Sequence, residues 1–375
     1  MTAPATADVV IVGAGLAGSL LALALRERAT SVTVVDAPPV DPSDGADGVC
    51  SATAISYGAL PGWPLAPTPL ARLAVGASRQ WRRLQAQHGE LGWRRSRLRL
   101  HGGTAWWGAV SAWWPLPFAQ VDTAVLAARL PGTLKAAGVT RRAVRVERLS
   151  CTPAPGWLLQ LGDGTSLGAK QVVLAAGAGC RQLWPDLPQR LRSSWAAVLE
   201  LPSSPLIQAR QAAWLPAAFA RVGLERRAAH LSRPEWLVDG GLVPRGDGAL
   251  LGQHTLVRPG LELGAPPPAA AVEQQLRQGL AAQAWGAPLA ELPGCLRQAA
   301  VAFCSEGLPL VGPLADAPGL WLFTGFSAGF SQVPVLAPVV AEALVSEGAR
   351  SEAATRRLQQ LGLGRPDQLG ADSCI

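Results

Sequence analysis

Lysine is almost missing from this sequence: all but Lys135 and Lys170 of its 33 basic side chains are arginine. The net charge of +7 therefore reads as the arginine habit of a GC-rich coding sequence rather than as a built electrostatic surface. Arginines do cluster at Arg79, Arg82 and Arg83, at Arg94, Arg95, Arg97 and Arg99, and at Arg141 and Arg142. Such clusters are usually solvated faces, with an acidic partner as the alternative. The six cysteines never form a CxxC pair and the four histidines are dispersed. That excludes a recognisable zinc site or disulfide framework, and no metal is expected. No cleavable signal peptide is visible, because the apolar run from Val9 is broken at once by glycines. The most apolar stretch, Gly319 to Val345, is interrupted by Ser327, Ser331, Gln332, Pro334, Pro338 and Glu342. It reads as a buried strand, turn and helix, not as a membrane span, and the expected compartment is the cytoplasm. Repeats and low-complexity tracts are also missing.

What is present suits a large folded core. A chain of 375 residues with 49% hydrophobic composition is long enough for two interleaved domains. Asp8–Val12 is a short apolar run, Leu16–Arg28 an Ala/Leu-rich helix, and Ser31–Val35 a second β-branched run ending at Asp36. Helical periodicity returns over Leu70–His88, Val121–Ala137 and Val272–Ala284. Strands are predicted at Ala143–Leu149, Trp157–Leu161 and Gln171–Ala175, and strands with turns dominate Trp195–Leu263.

The glycine turn "VVIVGAGLAG" has a physical reading. Gly13 allows the tight turn after the first strand, Gly15 lets the backbone approach a pyrophosphate, and Gly18 lets helix and strand pack closely. Ala14, Leu16 and Ala17 complete the loop, whose helix offers its free amides to phosphate oxygens. Asp36, 23 residues beyond Gly13, stands where a carboxylate accepts hydrogen bonds from a ribose diol. This unit does not choose between NAD and FAD, which share the adenosine half. Two later segments bear on the choice. "AKQVVLAAGAG" ends a buried strand in small residues, with Ala176 and Gly177 where the chain would pass a nucleotide. "GFSAGF", Gly325, Phe326, Ser327, Ala328, Gly329 and Phe330, forms an elbow before a helix from about Ser331 to Ser346. A helix start there suits the N1/C2-carbonyl edge of a reduced, anionic isoalloxazine.

Taken together, "VVIVGAGLAGSLLALAL", "VTVVD", "SYGALPG", "VVLAAGAG", "GLVPRGDGALLGQHT" and "EGLPLVGP…GFSAGF" resemble, in order and over nearly the whole chain, the FAD-dependent oxidoreductases of the D-amino acid oxidase and glycine oxidase type. That resemblance implies a mixed α/β fold: a Rossmann-like FAD-binding domain with an inserted antiparallel β-sheet substrate domain. The expected division is 1–60, 119–190 and 295–365 for the FAD domain, and 61–118 and 191–294 for the substrate domain. It further implies FAD, non-covalent or covalent with the non-covalent form favoured here, and oxidation of a C–N bond by hydride transfer to flavin N5, with oxygen as the usual electron acceptor. A small-molecule amine or amino-acid-like substrate needs no dedicated base if it arrives neutral. The same family includes half of a tRNA-wobble-uridine enzyme. An RNA-modifying oxidoreductase therefore stands as an alternative, as does a flavoprotein subunit without turnover.

One departure bears on the substrate. Amino-acid-oxidising members place an Arg five residues before the acid of their "DGLP" motif, where it clamps the substrate carboxylate. Here the acid is Glu306 and the position five before it is Val301. Arg297 is the candidate displaced clamp, about 13 Å further along the strand at the usual rise. Tyr57, the only tyrosine, is a second catalytic candidate, or a local hydrogen-bond donor. Trp106, with Trp107, Trp113 and Trp114, walls a flavin pocket or packs the sheet domain, and packing is the commoner use of aromatics. Cys304 lacks the spacing of the covalent sarcosine oxidases and reads as a buried thiol.

Overall fold

The computed structural model describes residues 6–38, 48–102, 116–152 and 156–367. The chain opens with β1 (Thr6–Val12), α1 (Leu16–Arg26) and β2 (Val32–Asp36). Straight-chain and Ala side chains lose little freedom in a helix, and α1 is built almost wholly from them. It closes through Ala29, which takes the left-handed φ of 57°.

Further strands are β3 (Ala59–Pro61), β4 (Trp93–Arg95), β5 (Leu98–His101), β6 (Phe118–Val121), β7 (Thr140–Ala143), β8 (Val146–Cys151), β9 (Trp157–Leu161) and β10 (Ser166–Leu174). They are followed by β11 (Leu191–Leu201), β12 (Ala213–Pro216), β13 (Glu235–Arg245), β14 (Gly248–Val257), β15 (Cys295–Cys304), β16 (Leu310–Pro313) and β17 (Leu320–Thr324). Besides α1, the helices that matter for the site are α2 (Pro69–Ala74), α3 (Ala77–His88), α4 (Thr123–Ala136), α5 (Ala220–Arg226), α6 (Ala269–Ala281), α7 (Gly329–Val345) and α8 (Ala349–Gln360).

The first sheet runs β16-β17-β10-β1-β2-β7, with β9 and β8 continuing from β10. Its centre is parallel: Val12 lies beside Leu174 and Val35, and Leu174 beside Leu322. Parallel strands covered on both faces read as continuous apolar runs, as "VVIV", "VVL" and "WLF" do. Against one face pack α1, α7 and α8, joined in one core by Leu20, Leu23, Leu336, Val340 and Leu358. The second sheet, β15-β11-β14-β13-β12-β5, is antiparallel except where β12 meets β5. Its two faces differ. Leu199, Leu242 and Leu251 meet Leu276 and Leu280 of α6 on one side, whereas Ala196, Val198, Val243, Leu250 and Ala299 meet Ile55 and Tyr57 on the other. That second face is turned toward the nucleotide-type domain. A small third sheet, β3-β6-β4, joins the two.

Three sequence expectations are corrected. Residues 295–304, expected in the nucleotide domain, are β15 and pair along their whole length with β11 of the second sheet, because ten successive backbone partners are available there. The stretch 70–88 is two helices, separated at Val75 and Gly76. These helices, expected in the substrate domain, pack with the first: Trp81 is fully buried and joins the core of α1 and α7. No helix among the described residues is long and apolar enough to cross a membrane.

Candidate active site

The glycine turn has the shape of a phosphate cradle. Gly13 adopts φ 109°, and a Cβ there would meet the Ala175 carbonyl oxygen at 2.5 Å. A Cβ on Gly18 would collide with the Gly13 carbonyl, so strand and helix touch at that point. Gly15 is different: a Cβ there would meet only Thr53 Oγ1, at 3.7 Å. The space in front of Gly15 is open, as an approaching pyrophosphate requires. Leu16 N–H, an orphan donor of the first turn, donates to Thr53 Oγ1 at 3.1 Å. Thr53 is thus a cradle residue that the sequence analysis missed; it lies four residues before Tyr57 and carries no motif of its own.

At the end of β2, Asp36 is half-buried. Burial pushes its carboxyl above the usual range, opposed by a hydrogen bond from the Ala14 amide and by Arg141. The carboxylate stands beside the glycine turn, tied to it by the Ala14 amide, as an acceptor for a ribose diol would. Turn, open cradle and terminal carboxylate fit the adenosine diphosphate half of a dinucleotide.

The elbow supplies the other end. Ala176 and Gly177 follow β10, and Gly177 takes φ 56°. Gly325 turns the chain after β17 with φ 78°, and a Cβ there would meet Cys304 Sγ at 2.7 Å. Burial pushes the Cys304 thiol up to about 12, which keeps it protonated. Phe326 packs edge-on to Phe323 at 4.9 Å between ring centres. Phe330 stacks on Trp81 at 5.9 Å, while Trp81 Nε1 donates to the Phe330 carbonyl at 2.9 Å. The helix α7 begins at Gly329 with no side-chain cap from Ala328, and its start carries the positive pole of the helix dipole. Ser331 Oγ reaches the Ala59 carbonyl at 3.5 Å and ties the elbow to the segment after Thr53.

The second sheet presents an apolar face on the side of Ile55 and Tyr57. Residues paired across an antiparallel ladder share a face. Val301 lies beside Ser194, and Ala299 beside Ala196 and then Thr255, so the centre of the face is aliphatic with two hydroxyls. Thr255 Oγ1 is buried without a hydrogen-bond partner. Neither sheet-borne histidine is on this face: His254 binds Gln275 of α6, and His101 binds the Gly240 carbonyl beside Trp285. Burial holds both imidazoles below their ordinary range.

The catalytic candidates separate. Tyr57 sits on this face, buried, and its hydroxyl donates to the Gly252 carbonyl. Burial, with Asp239 nearby, raises its phenol far above the ordinary value, so it is neither acid nor base at neutral pH. Arg297 is not brought to the elbow. It lies seven residues from Cys304 along β15, about 23 Å at the strand rise, and its Nε donates to Glu200 Oε2 at 2.9 Å. There it lines a groove of about 700 Å³ with Glu200, Arg245, Asp247 and Cys295. Trp106, Trp107, Trp113 and Trp114 lie outside the described residues. Glu306 pairs with Arg190 at 3.5 Å, and Arg190 also holds the Pro366 carbonyl, so this acid anchors its turn to the C-terminal segment.

A family model described as "FAD dependent oxidoreductase" matches residues 8–114 and 97–343. Among solved structures, glycine oxidase from Geobacillus kaustophilus matches with a TM-score of 0.66 at 18% identity, covering 92% of this chain and 96% of that one. L-proline dehydrogenase from P. horikoshii matches at 0.65 and 14% identity, covering 92% and 94%. Iminodiacetate oxidase from a Chelativorans species matches at 0.63 and 19% identity, covering 90% and 94%. At these identities the structures establish a shared fold. No curated protein matches by sequence.

Proposed function

The chain belongs to the family of FAD-dependent oxidoreductases, and on that premise we propose that it oxidises the C–N bond of an amine or amino-acid derivative that presents no free carboxylate to strand β15. The observation carrying this reading is the side chain at Val301. It stands on the apolar face of the second sheet among Ser194, Ala299 and Ala196, and the two cations nearest it along β11 and β15 are engaged elsewhere: Arg192 donates to the Gly260 carbonyl and Arg297 is held by Glu200. A carboxylate brought against this surface would lose its water and gain no charged partner, a cost of several kcal/mol.

Bound FAD supplies the hydride acceptor. The protein's part is to hold, orient and dry the substrate. Gly13, Ala14, Gly15, Leu16, Ala17, Gly18 and Asp36 serve the adenosine and pyrophosphate half. Ala176, Gly177 and the elbow from Gly325 to Phe330 serve the flavin half. The aliphatic face excludes water over the reacting C–H bond, and orientation of that bond accounts for much of the rate. Thr255 Oγ1, buried and unpartnered, offers one hydrogen bond to a neutral amine nitrogen or hydroxyl. No proton-accepting side chain is required when the amine binds neutral. The aliphatic centre of this face favours a small substrate over a polynucleotide, whose phosphates call for a row of basic side chains.

The test is anaerobic mixing of the purified flavoprotein with a panel of amines. Apolar primary and secondary amines and amino-acid esters are expected to bleach the flavin, and glycine, sarcosine and D-alanine to do so poorly. Rapid reduction by glycine or D-alanine overturns the reading.

A further inference from the structure

One charged cluster has no part in the chemistry above, yet it touches the elbow. Asp239, on β13, accepts from the backbone amides of Ala220 and Arg221 at 2.7 and 2.9 Å and so seats α5 on the second sheet. From the start of α5 the Arg221 guanidinium reaches three ways. Its Nη1 donates to Glu225 Oε1 at 3.0 Å, its plane lies 5.6 Å from the Phe219 ring, and its Nη2 donates across the domain boundary to the Ser327 carbonyl at 3.2 Å. Its Nε is buried without a partner. Glu225 and Asp239 are both buried, and burial raises both carboxyls. Buried ion clusters are weak sources of stability compared with apolar packing. Packing alone therefore gives no reason for a guanidinium here.

The bond to Ser327 does have a directional effect. The peptide joining Ser327 to Ala328 is trans, since no cis bond occurs among the described residues. In a trans peptide the C=O and the following N–H point in opposite directions. With the Ser327 carbonyl drawn toward α5, the Ala328 N–H is turned away from it, toward the uncapped start of α7. The intramolecular acceptor it has there, Gln332 Oε1 at 3.4 Å, is longer than an ordinary N–H···O bond. The amide is available to a ligand at the elbow.

We propose that Arg221 is a positioning residue for the flavin: through the Ser327 carbonyl it fixes the Ser327–Ala328 peptide so that the Ala328 amide and the positive end of α7 meet the pyrimidine edge of the isoalloxazine. Negative charge collects at that edge on reduction, so the arrangement favours the reduced form. The inference rests on FAD lying at this elbow. It assigns to the substrate domain a direct hold on the redox balance of a cofactor bound by the other domain.

The experiment compares holoenzymes of wild type, Arg221→Gln and Arg221→Lys by two-electron midpoint potential and by FAD content. Arg221→Gln is expected to retain FAD and to lower the potential by about 30 mV or more, the equivalent of a tenfold loss of preference for the reduced flavin. Arg221→Lys, which keeps the charge and one of the donors, is expected to recover part of the shift. A wild-type potential in Arg221→Gln overturns the proposal, as does a lysine variant no better than glutamine. Should Arg221→Gln fail to fold, Glu225→Gln carries the test: removing the negative charge beside the guanidinium is expected to raise the potential, and an unmoved potential overturns the proposal. A wild-type protein that holds no FAD would instead overturn the placement of the cofactor.

Discussion

The ring of Tyr57 fills the space that Gly241 leaves open on the apolar face of the second sheet. A Cβ at Gly241 would stand 2.9 Å from Tyr57 Oη and 3.0 Å from Cε2, closer than packed atoms approach. The tyrosine comes from the segment after the phosphate cradle and the glycine from β13, so the pair locks the two domains by shape. Gly241→Ala is expected to cost about 1–3 kcal/mol, the usual range for overpacking. Tyr57→Phe removes the nearest atom, so the double variant is expected to recover part of that loss. Urea unfolding of the four proteins checks this, and strictly additive losses would show that the two side chains do not compete for the same space.

The cradle distinguishes two glycines three residues apart, Gly15 and Gly18. A side chain at Gly15 meets nothing closer than Thr53 Oγ1 at 3.7 Å, so Gly15→Val is expected to fold and to purify as apoprotein. Gly18→Ala, by contrast, drives its methyl into the Gly13 carbonyl and is expected to lower stability as well. Circular dichroism with flavin absorbance separates the two outcomes. Asp36→Ala is expected to weaken FAD binding at least about tenfold, since a hydrogen bond to a charged group contributes roughly 1.5–3 kcal/mol. Denatured wild type is expected to release unmodified FAD.

Val301→Arg places a guanidinium on the apolar face beside Ser194. Reduction by glycine and D-alanine is expected to rise at least about tenfold relative to wild type, while reduction by apolar amines falls. A bidentate Arg–carboxylate pair is strong enough for that change. Equal rates in the two proteins would argue that substrates do not lie against Val301.

Trp81 links the helical layer to the elbow. Its Nε1 donates to the Phe330 carbonyl while its ring stacks on Phe330. Trp81→Phe keeps most of the apolar volume but leaves that carbonyl unpaired, and about 1–3 kcal/mol of stability is expected to go with it. Melting curves measure the loss, and FAD dissociation from the variant is expected to be faster.

A pH dependence follows from His254. Burial depresses its imidazole, and Gln275 only partly offsets this. The unfolded chain therefore takes up a proton near 6.5 while the folded one stays neutral, so stability is complete above that pH and falls as pH drops toward the folded value. The slope for one such proton is about 1.4 kcal/mol per pH unit. His254→Gln is expected to lose its share of this slope. Urea midpoints at pH 7.5, 6.5 and 5.5 for both proteins test it; parallel curves would assign the acid sensitivity elsewhere.

Local sequence carries β1, α1 and β2 because each needs only its own apolar period and the glycines between. The elbow is visible for the same reason, as a run of small residues between a β-branched strand and an apolar helix. The allegiance of β15 is not visible. Its run leads straight into Glu306 and β16, and only the backbone of β11, about a hundred residues earlier, draws it into the other sheet. Trp81 is hidden by an otherwise polar helix, in which Ala77, Trp81 and Leu84 are the buried residues. Arg221 is hidden more deeply: α5 is seven residues long and is capped by a carboxylate from β13 that no local pattern indicates.

The packing of α1 against α7 also sets an order of events during synthesis. β1 and β2 leave the ribosome first, but β10 arrives with residues 166–174 and β17 with residues 320–324. Leu20 and Leu23 stay without the cover of Leu336 and Val340 until α7 has been made. At roughly 5–20 residues per second the nascent chain carries that uncovered apolar helix for at least about fifteen seconds. Early arrest of translation anywhere before α7 leaves a fragment with the cradle's sequence but no closed core, a substrate for chaperones and proteases rather than a nucleotide-binding module.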